Sequence, residues 1–141
     1  MLVHLLLSTF MVLATVVIHG FGLALLGQAL QGAAQTKRSL YNPALSATAL
    51  VLTLLLVIAI FALHGLEIWL YAALYLGIGA VSDLETSIYF STISYAGIGY
   101  DDRYIDPMWR LVAAIEGVNG FLLLAWSTAF FVAIVSRLGR A

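Results

Sequence analysis

The chain has 141 residues, of which 63% are hydrophobic and 9% are charged, and its formal net charge is −1. Soluble globular domains carry roughly 25% charged residues, so this chain has too few to cover a water-facing surface and is expected to be an integral membrane protein. The near-neutral charge gives no indication of nucleic-acid binding. The sequence contains no cysteine, which excludes disulfides and thiolate metal sites.

The first apolar stretch runs from Leu2 to about Leu30, and a bilayer crossing takes ~20 apolar residues. No charged side chain precedes Lys37, so the stretch lacks the basic segment of a signal peptide and is expected to remain as a helix. We assign residues 1–34 to an N-terminal transmembrane helix and residues 35–43, QTKRSLYNP, to a cytoplasmic linker.

Residues 44–141 form a second unit with two further spans and a short element between them. The apolar stretch from Ala44 to about Ala80 is long for one crossing, so we expect a tilted helix that protrudes from the bilayer. After Asp83 and Glu85, residues 86–96 make an apolar piece of about three turns, too short to span. The acidic loop DDRYIDP and the last span, Leu111 to about Leu138, complete the chain.

The charged residues at the ends of the spans predict the orientation. Four basic residues without acidic neighbours, Lys37, Arg38, Arg137 and Arg140, are placed in the cytoplasm by the positive-inside rule. The acidic residues of the two outer loops then fall outside, so we expect an external N-terminus and a cytoplasmic C-terminus in the cell (inner) membrane. The short element between the last two spans must then enter and leave on the same side, as a re-entrant loop.

The segment that follows the short element contains Gly97-Ile98-Gly99. Glycine adopts positive φ readily, so such a strip can leave the helix and turn its carbonyls toward one side. Non-helical backbone at membrane depth is tolerated where it is buried in protein or lines a water-filled path. A short helix followed by a glycine strip between two spans is the layout of an ion selectivity filter, in which carbonyl oxygens replace the hydration shell of the ion.

The segments SIYFSTISYAGIGYDD and WRLVAAIEGVNGFLLLAWSTAFFVAIVSRL resemble the pore module of the tetrameric potassium-channel superfamily, most of all its small bacterial members. The resemblance covers residues 44–138 in the order outer helix, pore helix, filter and inner helix, with the pore helix expected at about residues 85–96. It implies an all-α membrane protein with three transmembrane helices per subunit, a re-entrant pore helix and a filter loop at residues 97–101, assembled as a four-fold homotetramer. Four copies are also needed because one strip of carbonyls cannot surround an ion.

The resemblance implies the residues of the ion path. Carbonyl oxygens of Gly97, Ile98, Gly99, Tyr100 and Asp101 are expected to line the filter, with K⁺ held at the first four. Asp101 and Asp102 are expected at the outer mouth, where rings of carboxylates attract cations. In the family the residue aligned with Asp102 bonds to the pore helix, and Tyr89 is its candidate partner here.

Two residues depart from the family filter, Thr-Val-Gly-Tyr-Gly. Gly97 stands where the family has threonine, whose hydroxyl forms the innermost ion site. Asp101 stands where the family has its last glycine, in left-handed conformation, which Asp tolerates less well than glycine. Both departures weaken the expectation of strict potassium selectivity.

Polar residues inside the spans are the remaining candidates, because ionisable groups in a membrane are costly and often functional. We expect His64, Glu67, Tyr89 and Glu116 to form buried polar bracing around the pore helix. This bracing either couples the state of the pore helix to pH or only satisfies hydrogen bonds without regulation.

Gly117 and Gly120 lie in the inner helix, and the resemblance implies a gating hinge at Gly120; the alternative is close helix packing. Phe130 and Phe131 are candidates for a constriction or for packing. His4 and His19 are interpreted as structural, since no ligand lies at metal spacing from them.

The sequence therefore predicts a passive cation channel that conducts potassium, with monovalent cations, the bilayer and three identical subunits as its partners. Two alternatives stay open: a channel that discriminates poorly between sodium and potassium, and a non-conducting membrane subunit. No catalytic set, nucleotide loop or cofactor motif is recognised, so an enzyme is not expected.

Overall fold

The computed structural model describes residues 1–37, 47–99 and 102–138. It contains four α-helices: α1 (Leu2–Lys37), α2 (Ala47–Gly77), α3 (Leu84–Tyr95) and α4 (Arg110–Leu138). Two 3₁₀ turns, Asp102–Tyr104 and Pro107–Trp109, lie between α3 and α4. The residues described include no β-strand, and the predicted all-α class is confirmed.

Three of the helices are long and apolar enough to cross a membrane, over Leu2–Leu30, Leu50–Gly77 and Pro107–Ser136. The helix α2 has 31 residues, about 46 Å at 1.5 Å per residue, against a hydrocarbon core of ~30 Å. Its length agrees with the expectation that this helix extends beyond the core. The pore helix α3 has 12 residues, too few to span.

The helix boundaries differ from the predicted ones by a few residues. The helix α1 continues to Lys37, so residues 35–37 of the predicted linker are helical, and the rest of that linker lies outside the described residues. The predicted pore helix, residues 85–96, is found at Leu84–Tyr95.

The N-terminal helix packs lengthwise between α2 and α4 of the same chain. Along α4 it runs parallel, because His4 contacts Trp109 at a ring distance of 4.9 Å near one end, and Gly27 faces Phe130 toward the other. Along α2 it runs antiparallel, with Gly22 against Leu63. The three helices therefore cross in alternating directions, with the start of α1 beside the start of α4.

The apolar core lies where α2, α3 and the start of α4 meet. Tyr75 packs its ring edge-on against Phe90 at 5.5 Å, and both are fully buried together with Val112. The backbone N–H of Asp106 donates to the carbonyl of Ala80 at 3.0 Å and joins the loop before α4 to the loop after α2. This core fixes the pore helix against the two spans that flank it.

Candidate functional site: the pore helix and its polar clusters

The pore helix begins at a side-chain cap. Asp83 has extended backbone, and its carboxylate accepts the backbone N–H of Thr86 at 2.9 Å and the Thr86 hydroxyl at 2.8 Å. The Ser82 hydroxyl donates to the same carboxylate. Hydrogen bonds from Thr86, and then from Ser82, lower the pKa of the Asp83 carboxyl below its ordinary value. A charged acceptor at this position satisfies one of the free N–H groups of the first turn.

Two serines on one face of the pore helix bind it to α2. The Ser87 hydroxyl donates to the carbonyl of Ala72 at 2.6 Å, and the Ser91 hydroxyl lies 3.0 Å from the carbonyl of Ile68. Both serines are buried. These contacts use small side chains, so the pore helix can approach the outer span closely.

The pore helix ends in a glycine motif that starts the predicted filter segment, residues 97–101, which is called the filter segment below. The N–H of Gly97 donates to the carbonyl of Ser94 at 3.1 Å, and the N–H of Ile98 donates to the carbonyl of Ile93 at 3.1 Å. Gly97 itself has φ +68°. This is the Schellman arrangement, in which a glycine in left-handed conformation closes the helix.

The backbone beyond Gly97 stays non-helical and exposed. Gly99 has φ +105°, and residues 96–99 are all exposed in the single chain. Ile98 is 76% exposed, so most of its surface is uncovered within one subunit. Tyr100 and Asp101 lie outside the described residues, as does the side chain of Asp102.

A first polar cluster, the Glu116 cluster, joins α2, α3 and α4. The Tyr75 hydroxyl donates to Oε2 of Glu116 at 2.6 Å, and the Ser91 hydroxyl bonds with Oε1. Glu116 is fully buried. Glu116 thus contacts the pore helix directly, through a serine in the middle of α3.

A second polar cluster, the Glu67 cluster, joins all four helices. Nδ1 of His19 lies 2.9 Å from Oε1 of Glu67, and the Tyr95 hydroxyl donates to Oε2. Nδ1 of His64 lies 2.8 Å from the Tyr95 hydroxyl, and the Ser127 hydroxyl lies 3.2 Å from Nε2 of His19. Tyr95 is the last residue of α3, so this cluster ends at the base of the filter segment.

A third contact joins the N-terminal helix to the inner helix. The side-chain amide of Asn119 donates to the Thr15 hydroxyl at 2.8 Å and lies 3.4 Å from the Tyr71 hydroxyl. Thr15 and Asn119 are both buried. Like the Glu67 cluster, this contact takes one of its members from α1.

Several predicted site residues lie elsewhere than expected. Tyr89 was assigned to the buried bracing; in the single chain it is 53% exposed, its ring faces Tyr104, and it is not a member of either polar cluster. Phe130 packs against Gly27 of α1. His19 was interpreted as structural, with no ligand at metal spacing in the sequence; in the structure it is fully buried against Glu67.

The two inner-helix glycines lie against the end of the pore helix. A Cβ on Gly120 would be 2.2 Å from the carbonyl oxygen of Tyr95, and one on Gly117 would be 3.2 Å from that of Ser94. The absence of side chains here lets α4 reach the backbone immediately before the filter segment. This geometry favours the packing interpretation of Gly120, and a hinge at this position stays a prediction.

The sequence reasoning missed eight members of these contacts: Thr15, His19, Tyr71, Tyr75, Ser91, Tyr95, Asn119 and Ser127. Each is a polar residue inside an apolar helix, which is the signal that was available. Their partners are distant in sequence, with His19 and Glu67 48 positions apart, so the pairings follow from the packing of the helices.

Comparisons with known proteins agree with this architecture. A family model described as "Ion channel" matches residues 48–137, which include the pore helix, the filter segment and nearly all of α2 and α4. Comparison with curated proteins and with solved structures returned no match. A multi-pass arrangement with a re-entrant pore helix, and a family match over more than half of the sequence, show that this chain belongs to the ion-channel family built on the two-span, potassium-channel-like pore module.

Proposed function

We propose that the protein is a passive potassium-conducting channel in the cell membrane, formed by four identical subunits around a shared axis. The filter segment, residues 97–101, supplies backbone carbonyl oxygens that replace water around the permeating ion. The N-terminus lies outside the cell and the C-terminus in the cytoplasm. Conduction is passive and needs no cofactor other than the permeant ion.

The observation that carries this proposal is the exposed end of the pore helix. Gly97 and Gly99 leave the helix with positive φ and remain uncovered in the single chain. In a membrane, exposed non-helical backbone is tolerated where it lines a water-filled path or is covered by protein. Four such ends around one axis satisfy both conditions, and the negative end of each pore-helix dipole favours a cation there.

The polar clusters support the same proposal from behind the filter. The Glu116 cluster contacts the middle of the pore helix, and the Glu67 cluster contacts its last residue, Tyr95. A filter selects among ions by the positions of its oxygens, so the residues behind it must limit its movement. Each subunit braces its own pore helix with side chains from α1, α2 and α4.

One observation favours the weakly selective alternative. Gly97 has no side chain, and its N–H is already bonded to the carbonyl of Ser94 as part of the helix cap. The position that the family uses for a threonine hydroxyl therefore offers only a carbonyl oxygen. A filter with one fewer well-defined site discriminates less between sodium and potassium.

The test is ion flux through purified protein in liposomes, with mass measurement of the assembly in detergent. We expect a tetramer, and under bi-ionic conditions a reversal potential displaced in the direction of potassium selectivity. A reversal potential near zero supports the weakly selective channel. Tetrameric protein that carries no flux at either polarity, in acidic and neutral buffer, refutes both and supports a non-conducting subunit.

A matched pair of variants locates the ion path. Gly97 and Gly79 have φ +68° and +67°, and a Cβ on either meets nothing within 4 Å. Alanine in left-handed conformation costs roughly 1–2 kcal/mol at either position, so the two variants carry the same backbone strain. We expect Gly97→Ala to reduce flux or change selectivity and Gly79→Ala, in the loop after α2, to leave both unchanged. Equal effects of the two variants would contradict a filter at Gly97.

A further inference from the structure

The Glu67 cluster contains three donor groups that converge from two helices. Nδ1 of His19 lies 2.9 Å from Oε1 of Glu67, and Nδ1 of His64 lies 3.3 Å from Oε2. One ligand atom from each of the three residues lies within 4.8 Å of the others, and all three residues are buried. We infer that these three side chains form a binding site for a divalent transition-metal ion of the zinc type.

The ligand chemistry decides the class of ion. Two imidazole nitrogens and one carboxylate oxygen are a set that zinc takes readily, whereas calcium and magnesium take oxygen ligands. Tetrahedral zinc, with bonds of about 2.0–2.1 Å, holds its ligand atoms about 3.3–3.4 Å apart. The two histidine nitrogens lie 2.9 and 3.3 Å from different oxygens of Glu67, and one ligand atom of each residue lies within 4.8 Å of the others. Binding therefore requires these atoms to close by up to about 1.5 Å.

The protons of the Glu67 cluster can be arranged to suit both the metal-free and the metal-bound state. The hydrogen bonds are satisfied when both imidazoles are neutral with the proton on Nδ1, and Nε2 of His64 then has no partner among the described residues. When a metal takes Nδ1, the proton of each ring moves to Nε2, and no proton is gained or lost. The Ser127 oxygen, 3.2 Å from Nε2 of His19, then accepts that N–H.

The surrounding residues match what metal sites require outside the ligands. A metal-binding histidine usually donates its second N–H to a fixed acceptor, and a metal-binding carboxylate is itself hydrogen-bonded. The Ser127 oxygen is the acceptor available to the second N–H of His19, and the Tyr95 hydroxyl is the hydrogen-bond donor to the Glu67 carboxylate. A cation also compensates the buried charge of Glu67, which is costly to bury alone.

The position of the site indicates how the ion would enter and which helices it would join. Of the three side chains, His64 is 10% exposed while His19 and Glu67 are at 0%, so the ion would reach the cluster past His64. Tyr95 contacts both Glu67 and His64 and precedes the filter segment. A bound metal would therefore fasten α1 to α2 immediately behind the filter.

The test measures binding and does not depend on ion conduction. Untagged protein is stripped with a chelator and titrated with Zn²⁺ by calorimetry, and Co²⁺ absorption reports the coordination geometry. We expect one ion per chain, a tetrahedral cobalt spectrum and a rise in the unfolding temperature of the wild-type protein when Zn²⁺ is added. The variants His19→Gln, His64→Gln and Glu67→Gln are expected to bind Zn²⁺ at least tenfold more weakly.

Two further variants distinguish this site from zinc binding elsewhere on the chain. His4 is the one histidine of the sequence that is not in the proposed site, and it packs on Trp109. The variant His4→Gln should therefore bind Zn²⁺ as the wild type does. Ser127→Ala removes only an outer partner and should weaken binding about 10–100-fold. Stripped wild-type protein that binds no Zn²⁺ saturably and shows no thermal shift would overturn the inference. So would binding that is lost in His4→Gln and kept in His19→Gln.

Discussion

Replacement of Gly120 by alanine tests how the inner helix supports the filter. The added Cβ would lie 2.2 Å from the carbonyl oxygen of Tyr95 and 2.8 Å from its Cγ. Close carbon–oxygen contacts in proteins are about 3.3–3.6 Å, so α4 and the end of the pore helix must separate by about 1 Å. Overpacking of this kind costs about 1–3 kcal/mol, more than the gain of up to about 1 kcal/mol in helix propensity from Gly to Ala.

Two other glycines provide graded controls in the same chain. A Cβ on Gly117 would be 3.2 Å from the carbonyl oxygen of Ser94, a contact that a small shift relieves, and a Cβ on Gly65 meets nothing within 4 Å. All three glycines lie inside helices, so the change in helix propensity is common to them. We expect the free energy of unfolding to fall most for Gly120→Ala, less for Gly117→Ala, and not at all for Gly65→Ala.

The measurement is equilibrium unfolding in mixed micelles, followed by the helical circular dichroism signal, together with flux in liposomes. A displaced Tyr95 carbonyl also moves the first residues of the filter segment, so Gly120→Ala should lose selectivity as well as stability. If Gly120→Ala is as stable as Gly65→Ala, the close packing of Gly120 against Tyr95 is wrong. A change in open probability alone, at unchanged stability, would favour a hinge.

Two further predictions concern single carboxylates. Glu116→Gln keeps an acceptor for the Tyr75 hydroxyl and a donor toward Ser91, so the free energy of unfolding should stay near that of the wild type. Glu116→Leu removes this acceptor of the buried Tyr75 hydroxyl and should lower the free energy of unfolding by about 1–3 kcal/mol. Equal unfolding curves for the two variants would contradict this reasoning. The folded-state pKa of Asp83 is lowered, so its contribution to stability is complete above the ordinary Asp pKa of about 3.9 and is lost as the pH falls through the lower, folded-state value. Hydrogen exchange at the Thr86 amide should therefore accelerate in acid relative to Asp83→Asn, which keeps an uncharged cap, and parallel pH profiles of the two proteins would refute this.

The spans and the pore helix could be predicted from the sequence because the bilayer sets their length. Because Asp83 and then the acidic loop interrupt the apolar sequence, few other divisions of the chain into spans and a short helix are possible. The observed α3 and α4 begin within one residue of the predicted positions, 85 and 111. The glycines after α3 likewise indicated a break in the helix. In these cases the signal is local, so a single sequence contains it.

The polar pairings were not predicted because they depend on which faces of the helices meet. In a membrane, positions that face lipid and positions that face protein are both apolar, so periodicity does not identify the packed face of α1. His19 therefore gave no indication that it opposes Glu67, and Tyr89 gave none that it points away from the cluster. Small residues were a partial guide, since Gly22 and Gly27 lie where α1 meets its neighbours.

The N-terminal helix lies outside the range matched by the family, residues 48–137, yet it supplies partners to polar groups inside that range. Glu67 contacts His19, and the Asn119 amide donates to Thr15. Water is not available in the bilayer core to replace such partners, and each unsatisfied polar group there costs several kcal/mol. A two-span module with these side chains would lose one partner of each group, although Tyr95 would still contact Glu67 and Tyr71 would still lie near the Asn119 amide. The carboxylate and the amide have all of these contacts only when α1 is part of the subunit core, which makes the folding unit of this chain three spans and a pore helix.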